Sequence, residues 1–547
     1  RNNHSLNLIL NNKLYILSII LLSLNINNGL MSQENTKIKI ETAGFFDKDN
    51  EKFPNATVLT RDNSGQVIIT HEGVKMWCNQ AFFYENKNFI EAYGNVKLIQ
   101  GDTIDLKSNY LEYNGDSKLA YAKGNVILND PTSTLYTESL FFDRKIQEAY
   151  YNNKGKLIKN PSDTIISDIG RFYIELKKYR FKENIHLKTA KQNIYSKKLD
   201  YYTESGLAYF YGPTDIISED TNIYCEIGFF DTNNDNGYFI KNAQIDFSDS
   251  NIEADSIYFD NKINYAAATN NIKITDTINK TTSKGHYAEI FKDIDSMYIT
   301  KRALVASYQE NDSIYIHSDT ILMTGNEENR VIRAFKNAKI YKSDLSGKAD
   351  SIHFNKKNGL AKLININDQL TNPFIKTKKP ILWSQANQIT GDSIHLLFNT
   401  NNDELDSLFV FNNALIINKD SLGAGFNQIS GQKLYGNFIN NELRKIDIVK
   451  NAESIYYLRN GENELVGIDR SKSGKIKILL DNNSIEKFKK INQIDGNTYP
   501  EEDFLEELKF LKGFYFREDE KPNSIKDLFI DDPKLILKKI NSLEIKN

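Results

Sequence analysis

The sequence predicts an all-β protein: an elongated stack of bent, antiparallel strand pairs. Three observations carry this. A short phrase recurs about every thirty residues, the hydrophobic alternation slips by one residue inside each copy, and the 547-residue chain holds 30 Tyr and 31 Phe but nine Pro. Aromatic residues favour strands and proline interrupts them. The phrase reads small, polar, any, apolar, any, apolar or aromatic. Its clearest copies are Ala254-Asp255-Ser256-Ile257-Tyr258-Phe259 and Ala349-Asp350-Ser351-Ile352-His353-Phe354. Indexed by its last residue, it ends at Phe83, Tyr113, Phe142, Phe172, Tyr202, Phe230, Phe259, Ile290, Met323, Phe354, Leu396 and Gly436. The spacing stays between 28 and 33 residues as far as Phe354 and is then 42 and 40. So steady a period marks about twelve stacked units, each burying its apolar side against the next. Function is then expected in the surface the stack creates.

One unit shows how the strand bends. Ile104 and Leu106 alternate with Asp105 and Lys107, the period of a half-buried strand. At Ser108-Asn109 the alternation slips, and Leu111 and Tyr113 carry the apolar face onward. A slip of one residue turns side chains to the opposite face, so keeping them inside requires a bulge or sharp bend. The small position fits such a crease. It holds Cys78, Ser108, Thr137, Ser167, Cys225, Ala254, Gly285, Ser318, Ala349, Gly391 and Gly431, with Lys197 the exception. The returning strand passes a second corner at Gly94-Asn95, Gly124-Asn125, Asn242-Ala243, Asn270-Asn271, Asn337-Ala338, Asn413-Ala414 and Asn451-Ala452. Gly and Asn suit the positive φ that such corners need. Apolar strips from successive pairs line the interior, which is either sealed or an apolar channel; the alternation leaves both open.

Both cysteines occupy the small position, five copies apart, so they are expected as packed structural residues without a disulfide. The net charge of −3 gives no sign of a nucleic-acid binder. Near the N-terminus, Lys13 precedes the apolar run Leu14–Leu24, short for a bilayer span and suited to an export signal over residues 1–33, with a retained anchor or a buried segment as the competing readings. Residues 34–75 read as a lead-in, 76–460 as the repeat body and 461–547 as a C-terminal cap. Thr371–Trp383, with two prolines, reads as an inserted loop. Apolar residues at 504, 505, 508 and 511 predict an amphipathic helix after Pro500, and a second is expected from Asp532 to Ile540.

The run Gly94-Asn95-Val96-Lys97-Leu98-Ile99-Gln100-Gly101-Asp102-Thr103-Ile104-Asp105-Leu106-Lys107-Ser108-Asn109-Tyr110-Leu111-Glu112-Tyr113 resembles the OstA-like (organic solvent tolerance) family. So does its continuation Ala120-Tyr121-Ala122-Lys123-Gly124-Asn125-Val126-Ile127-Leu128. The resemblance is strongest over residues 76–150, with weaker copies to about 455. It implies a β-jellyroll or folded "taco" holding the acyl chains of lipopolysaccharide or lipid A. It also implies a periplasmic location and partners among inner- and outer-membrane Lpt-type proteins, joined by strand addition at sheet edges, with head-to-tail self-association as a further contact. The chain is much longer than the compact periplasmic members and lacks the long run of membrane strands of the outer-membrane translocon. It is most similar to the long members from Bacteroidetes-type bacteria.

The candidate lipid contacts are the apolar phrase positions Phe83, Leu111, Tyr113, Leu140, Phe142, Phe172, Tyr202, Phe230, Ile257, Phe259, Ile352 and Phe354, with ordinary core packing as the competing role. The polar position carries Glu138, Asp168, Glu226, Asp255, Asp319, Asp350 and Asp392. A carboxylate that recurs with a structural period belongs to a solvated crease rather than to acid–base chemistry. The histidines, among them His286, His317, His353 and His395, lack metal-ligand spacing. No nucleophile-elbow, phosphate-loop or dinucleotide motif is present, and no cofactor or enzymatic activity is expected. The rival readings are a structural or adhesive β-solenoid with a sealed core, and a polysaccharide-acting β-helix enzyme.

Overall fold

The computed structural model describes residues 36–159, 163–247, 249–308, 313–326, 328–365, 379–400, 404–481 and 484–540. The expected export segment lies outside them, as does most of the expected loop after Thr371. Regular strands run from Lys39 to Tyr499, beyond both ends of the stretch over which the phrase is legible, and all pairings are antiparallel. The chain divides into two compact units, one of residues 1–160 with 169–177 and one of 161–168 with 178–547. Both are built in the same way.

The bend predicted for each strand is present. In Ile104–Asn114 the buried residues are Ile104, Leu106 and Ser108, then Leu111 and Tyr113, so the frame slips at Asn109. Its neighbour Phe89–Gln100 makes the same turn at Gly94-Asn95, where the register shifts. Gly94 has φ 73° and Asn95 φ 48°. A side chain at Gly94 would also meet the Asn79 amide, its Cβ 2.8 Å from Nδ2. Left-handed pairs recur at Gly124-Asn125, Lys241-Asn242, Asn270-Asn271, Lys336-Asn337, Asn412-Asn413 and Lys450-Asn451. Glu183-Asn184 and Lys301-Arg302 do the same without a sequence signal. Two residues in the left-handed region opposing one in the partner strand form a bulge that turns the sheet while keeping alternate residues inside.

Each long strand therefore contributes half of itself to each of two walls. In the first unit wall A contains segments such as Val96–Gln100 and wall B segments such as Phe89–Tyr93; in the second unit the corresponding wall A contains Ile272–Asp276 and wall B Tyr265–Thr269. The walls pack directly. A Cβ added at Gly347 of wall A would lie 2.9 Å from Leu363 Cδ2 of wall B, and one at Gly155 would lie 2.4 Å from the Tyr151 ring. Where the expected inserted loop ends, Ile381–Ser384 is a wall A strand between Leu345–Asn355 and Asn387–Thr390.

The C-terminal region corrects one expectation. No α-helix occurs among the described residues; after Pro500 the chain forms four short 3-10 turns, Glu501–Asp503, Glu506–Leu508, Glu518–Glu520 and Ile525–Phe529. The segment is a strap. It runs back over the outer face of wall A in the second unit, hydrogen-bonding to Arg470 through Leu508 and, at its far end, to the crease residue Asn270 through Lys538. Phe504 and Leu511 are buried with Leu415, Ile417, Ile455 and Ile468, which project outward from wall A. Burying a Phe or Leu side chain stabilises by about 1.5–3 kcal/mol. The apolar spacing at 504, 508 and 511 thus reflects the register of a sheet surface, because tertiary contacts override a helical pattern this short.

Candidate functional site: the space between the walls

Of the candidate contacts, Phe83, Leu111, Tyr113, Leu140, Phe142, Phe172, Phe230, Ile257, Phe259 and Ile352 are buried in the interior row of their strands. Phe354 is half-buried in the same row, its ring 6.2 Å from that of Phe398. Tyr202 is a correction. It lies on the outer face of wall B, edge-on to Tyr209 at 5.7 Å, while Tyr201 is fully buried and donates its hydroxyl to Asp163 at 2.9 Å. The phrase therefore reads Ser196-Lys197-Lys198-Leu199-Asp200-Tyr201. This removes Lys197 as an exception, because Ser196 sits at the crease, facing Thr214 at 2.8 Å.

The crease accounts for the recurring carboxylates. The corner asparagine of one strand donates its side-chain amide to the polar position of its neighbour: Asn184 to Asp168 at 2.6 Å, Asn242 to Glu226 at 2.7 Å, Asn271 to Asp255 at 2.9 Å and Asn413 to Asp392 at 2.9 Å. These acids hold corners. The cysteines behave as packed residues, both unbonded and fully buried, and burial pushes each thiol up to about 12. His353 and His395 flank Lys362 across strands on the outer face of wall B. Burial, reinforced by neighbouring cations, lowers the pKa of both.

Opposite the crease, the hairpin turns of the two walls form a mouth. In the first unit it is clasped by polar side chains. Tyr113 Oη lies 2.7 Å from His71 Nδ1 and accepts from Arg144 at 2.6 Å; Arg144 also donates to Gln100, and Gln100 donates to Gln147. Lys118 pairs with Glu72 at 2.5 Å. In the second unit the mouth holds an apolar cavity of about 210 Å³, lined by Phe247, Ile252, Phe259, Ile290, Met297 and Met323, with Lys292 and Arg330 also bordering it. Phe247 and Phe259 face each other from opposite walls at 6.1 Å. The sequence pattern marks Phe259 but not Phe247, Met297 or Arg330, which lie at or beside strand ends, where the phrase has no fixed letter.

No helix among the described residues is long and apolar enough to cross a membrane. No curated protein matches the chain. Among solved structures the chain is similar to LptH of Pseudomonas aeruginosa, described as the LptA-homologous periplasmic component of the lipopolysaccharide transport device. Identity is 14%, with 25% of this chain and 94% of that one covered and a TM-score of 0.22. The sequence profile of the family described as OstA-like protein matches residues 35–197 and again 177–255. The matched stretch, residues 35–255, is the part of the chain that resembles the OstA-like family, and there the frame-slipped phrase is most regular.

Proposed function

We propose that the protein is a periplasmic lipid-binding conduit that carries lipopolysaccharide or lipooligosaccharide toward the outer membrane, as a bridge of the Lpt type. The observation that carries this reading is the interior between the walls. Within each unit, apolar side chains from successive strands follow one another along it, and in the second unit it opens into the Phe247–Phe259 cavity, with Lys292 and Arg330 at its border. Each buried methylene of an acyl chain is worth about 0.8 kcal/mol, so a lipid of several chains stays associated with such a surface across an aqueous compartment. Cations at the mouth suit phosphate groups carried outside the apolar space. Partners of the Lpt type would add strands at sheet edges. Lys39–Thr42 and Phe45–Asp47 each pair on one side only among the described residues, with Phe45 and Phe46 exposed.

A second reading, a structural β-solenoid with a sealed core, is favoured by one observation: Leu111, Leu140 and Phe142 are fully buried. Lipid passage past them requires the walls to part. Native mass spectrometry of the purified protein, with uptake of labelled lipid A, separates the two. Photo-crosslinkers at Phe142 and Phe259 are expected to capture lipid, while crosslinkers at the outward Phe141 and Tyr258 are not. Lipid-free protein without uptake establishes the sealed-core reading instead.

A further inference from the structure

The last described stretch of the strap, Pro533-Lys534-Leu535-Ile536-Leu537-Lys538-Lys539-Ile540, holds three lysines and no acid. It is fixed at the crease, on the corner residue Asn270. The Asn270 side chain donates to the Lys538 carbonyl at 2.7 Å and accepts from the Lys538 N–H at 3.3 Å. Just upstream, Asp532 is buried against His317 at 2.9 Å and faces Arg302 at 3.3 Å, and the Phe529 ring lies 4.5 Å from that of His317. This end of the strap is thus held by buried polar contacts and by Leu528 and Phe529, yet three of its large apolar side chains are exposed. Ile530 is 72% exposed, Ile536 80% and Leu537 44%. Exposed apolar residues concentrated on a pinned segment mark an interaction surface.

Beside them, wall A and Phe529 of the strap line an open pocket of about 420 Å³. Its floor is Ile272, Leu304 and Phe529, and its rim carries Lys273, Lys284, His286 and Arg302. Lys273 pairs with Glu253 at 2.9 Å and Arg302 with Asp532, but Lys284 is exposed with no ion-pair partner among the described residues. Burial lowers the pKa of His286, with Arg302 and Lys301 adding to the shift and Asp255 opposing it.

We propose that this face of the second unit is a docking site for an anionic lipid surface: Ile530, Ile536 and Leu537 enter the headgroup boundary, and a lipid phosphate is held at the pocket by Lys284 and its neighbours. Apolar side chains flanked by lysines make up the composition that binds in the plane of such an interface, and each lysine near an anionic surface adds to the attraction. The site lies outside the walls and is distinct from the space proposed for the transported lipid. It would hold the body against a membrane whether or not the interior carries cargo.

The test is co-sedimentation of the full chain with phosphatidylcholine vesicles, with and without phosphatidylglycerol, at low and physiological salt. Binding is expected to the anionic vesicles and to weaken with salt. Replacing Lys284 by Glu is expected to weaken it about fivefold or more, and Ile536→Asp with Leu537→Asp by about tenfold or more. The Lys284 substitution is on the wall, so its result stands even if the paired substitutions loosen the strap. Inorganic phosphate is expected to compete no better than chloride at equal ionic strength. Stronger competition by phosphate that disappears in Lys284→Glu, without vesicle binding, would identify a free-phosphate site and overturn the proposal. Equal binding to neutral vesicles, binding unchanged in both variants, or self-association through this face seen by light scattering would do the same.

Discussion

Gln388 and Arg517 hold each other as residues of neighbouring strands do, although only one contributes its backbone. Gln388 Oε1 accepts the Arg517 N–H at 2.7 Å, and Gln388 Nε2 donates to the Tyr515 carbonyl at 2.8 Å. Gln428 repeats the arrangement with the Leu511 N–H and the Lys509 carbonyl, both at 2.8 Å. Side-chain amides of the wall thus read the strap's backbone, which has no ladder of its own. Gln388→Leu and Gln428→Leu each leave a donor and an acceptor of the strap without partners, at about 1–3 kcal/mol per buried group. Hydrogen exchange over residues 505–517 is expected to accelerate in either variant while wall strands such as Leu405–Lys419 stay protected. Unchanged strap protection would mean that apolar packing alone holds it.

Tyr201 and Tyr202 separate interior from exterior by one residue. Tyr201→Ala removes a buried ring and its bond to Asp163, and a cost of about 3–5 kcal/mol is expected, as for other large aromatic truncations. Tyr202→Ala trims the outer face and should cost less than about 1.5 kcal/mol. Urea midpoints of the two variants check the assignment, and reversed magnitudes would restore Tyr202 to the interior.

The same pair shows what the sequence could express. Frame, crease and corner were legible because each follows from backbone geometry: a slip of one must be absorbed by a bulge, and Asn125 or Asn413 can adopt its left-handed φ at little cost. At Lys197-Lys198 no small residue marks the crease in the expected frame, and two adjacent tyrosines satisfy the aromatic position equally, so the pattern leaves the frame open by one residue there. Glu183-Asn184 and Lys301-Arg302 turn corners with residues that have weaker left-handed preference, because the surrounding ladders fix them. The strap is illegible in the sequence for a related reason. The spacing of Phe504, Leu508 and Leu511 fits a helix stripe, and only knowledge of the wall it lies on shows otherwise. The cavity residues Phe247 and Met297 gave no signal, since they sit at strand ends, outside the fixed letters of the phrase.

The two cysteines offer a direct check on interior packing. Burial holds both thiols at about 12, far above neutral pH, and neither is accessible. Iodoacetamide at neutral pH is expected to leave both unmodified in the native protein and to label both in denaturant, read by intact mass. Labelling of Cys225 but not Cys78 under native conditions would show that the second unit opens at its crease.

The clasp of the first unit predicts a pH dependence of defined sign. The Lys118 ammonium and the Thr36 hydroxyl hold Glu72 down at about 2, against an ordinary value of 4.5. A carboxyl with a depressed folded-state pKa contributes stability that is fully present above the unfolded value and is lost as pH falls through the folded one. The contribution should therefore be intact above about pH 4.5 and fade toward pH 2. Lys118→Met removes the largest cause. In that variant Glu72 is expected to titrate nearer its ordinary value, and its share of the stability is already reduced at neutral pH. Chemical denaturation followed in the first unit, compared between pH 3 and pH 6, measures this. Wild type should lose more stability over that interval than the variant, after charge effects common to both are subtracted. Equal losses would mean that the Glu72–Lys118 pair is a surface contact with no hold on the mouth.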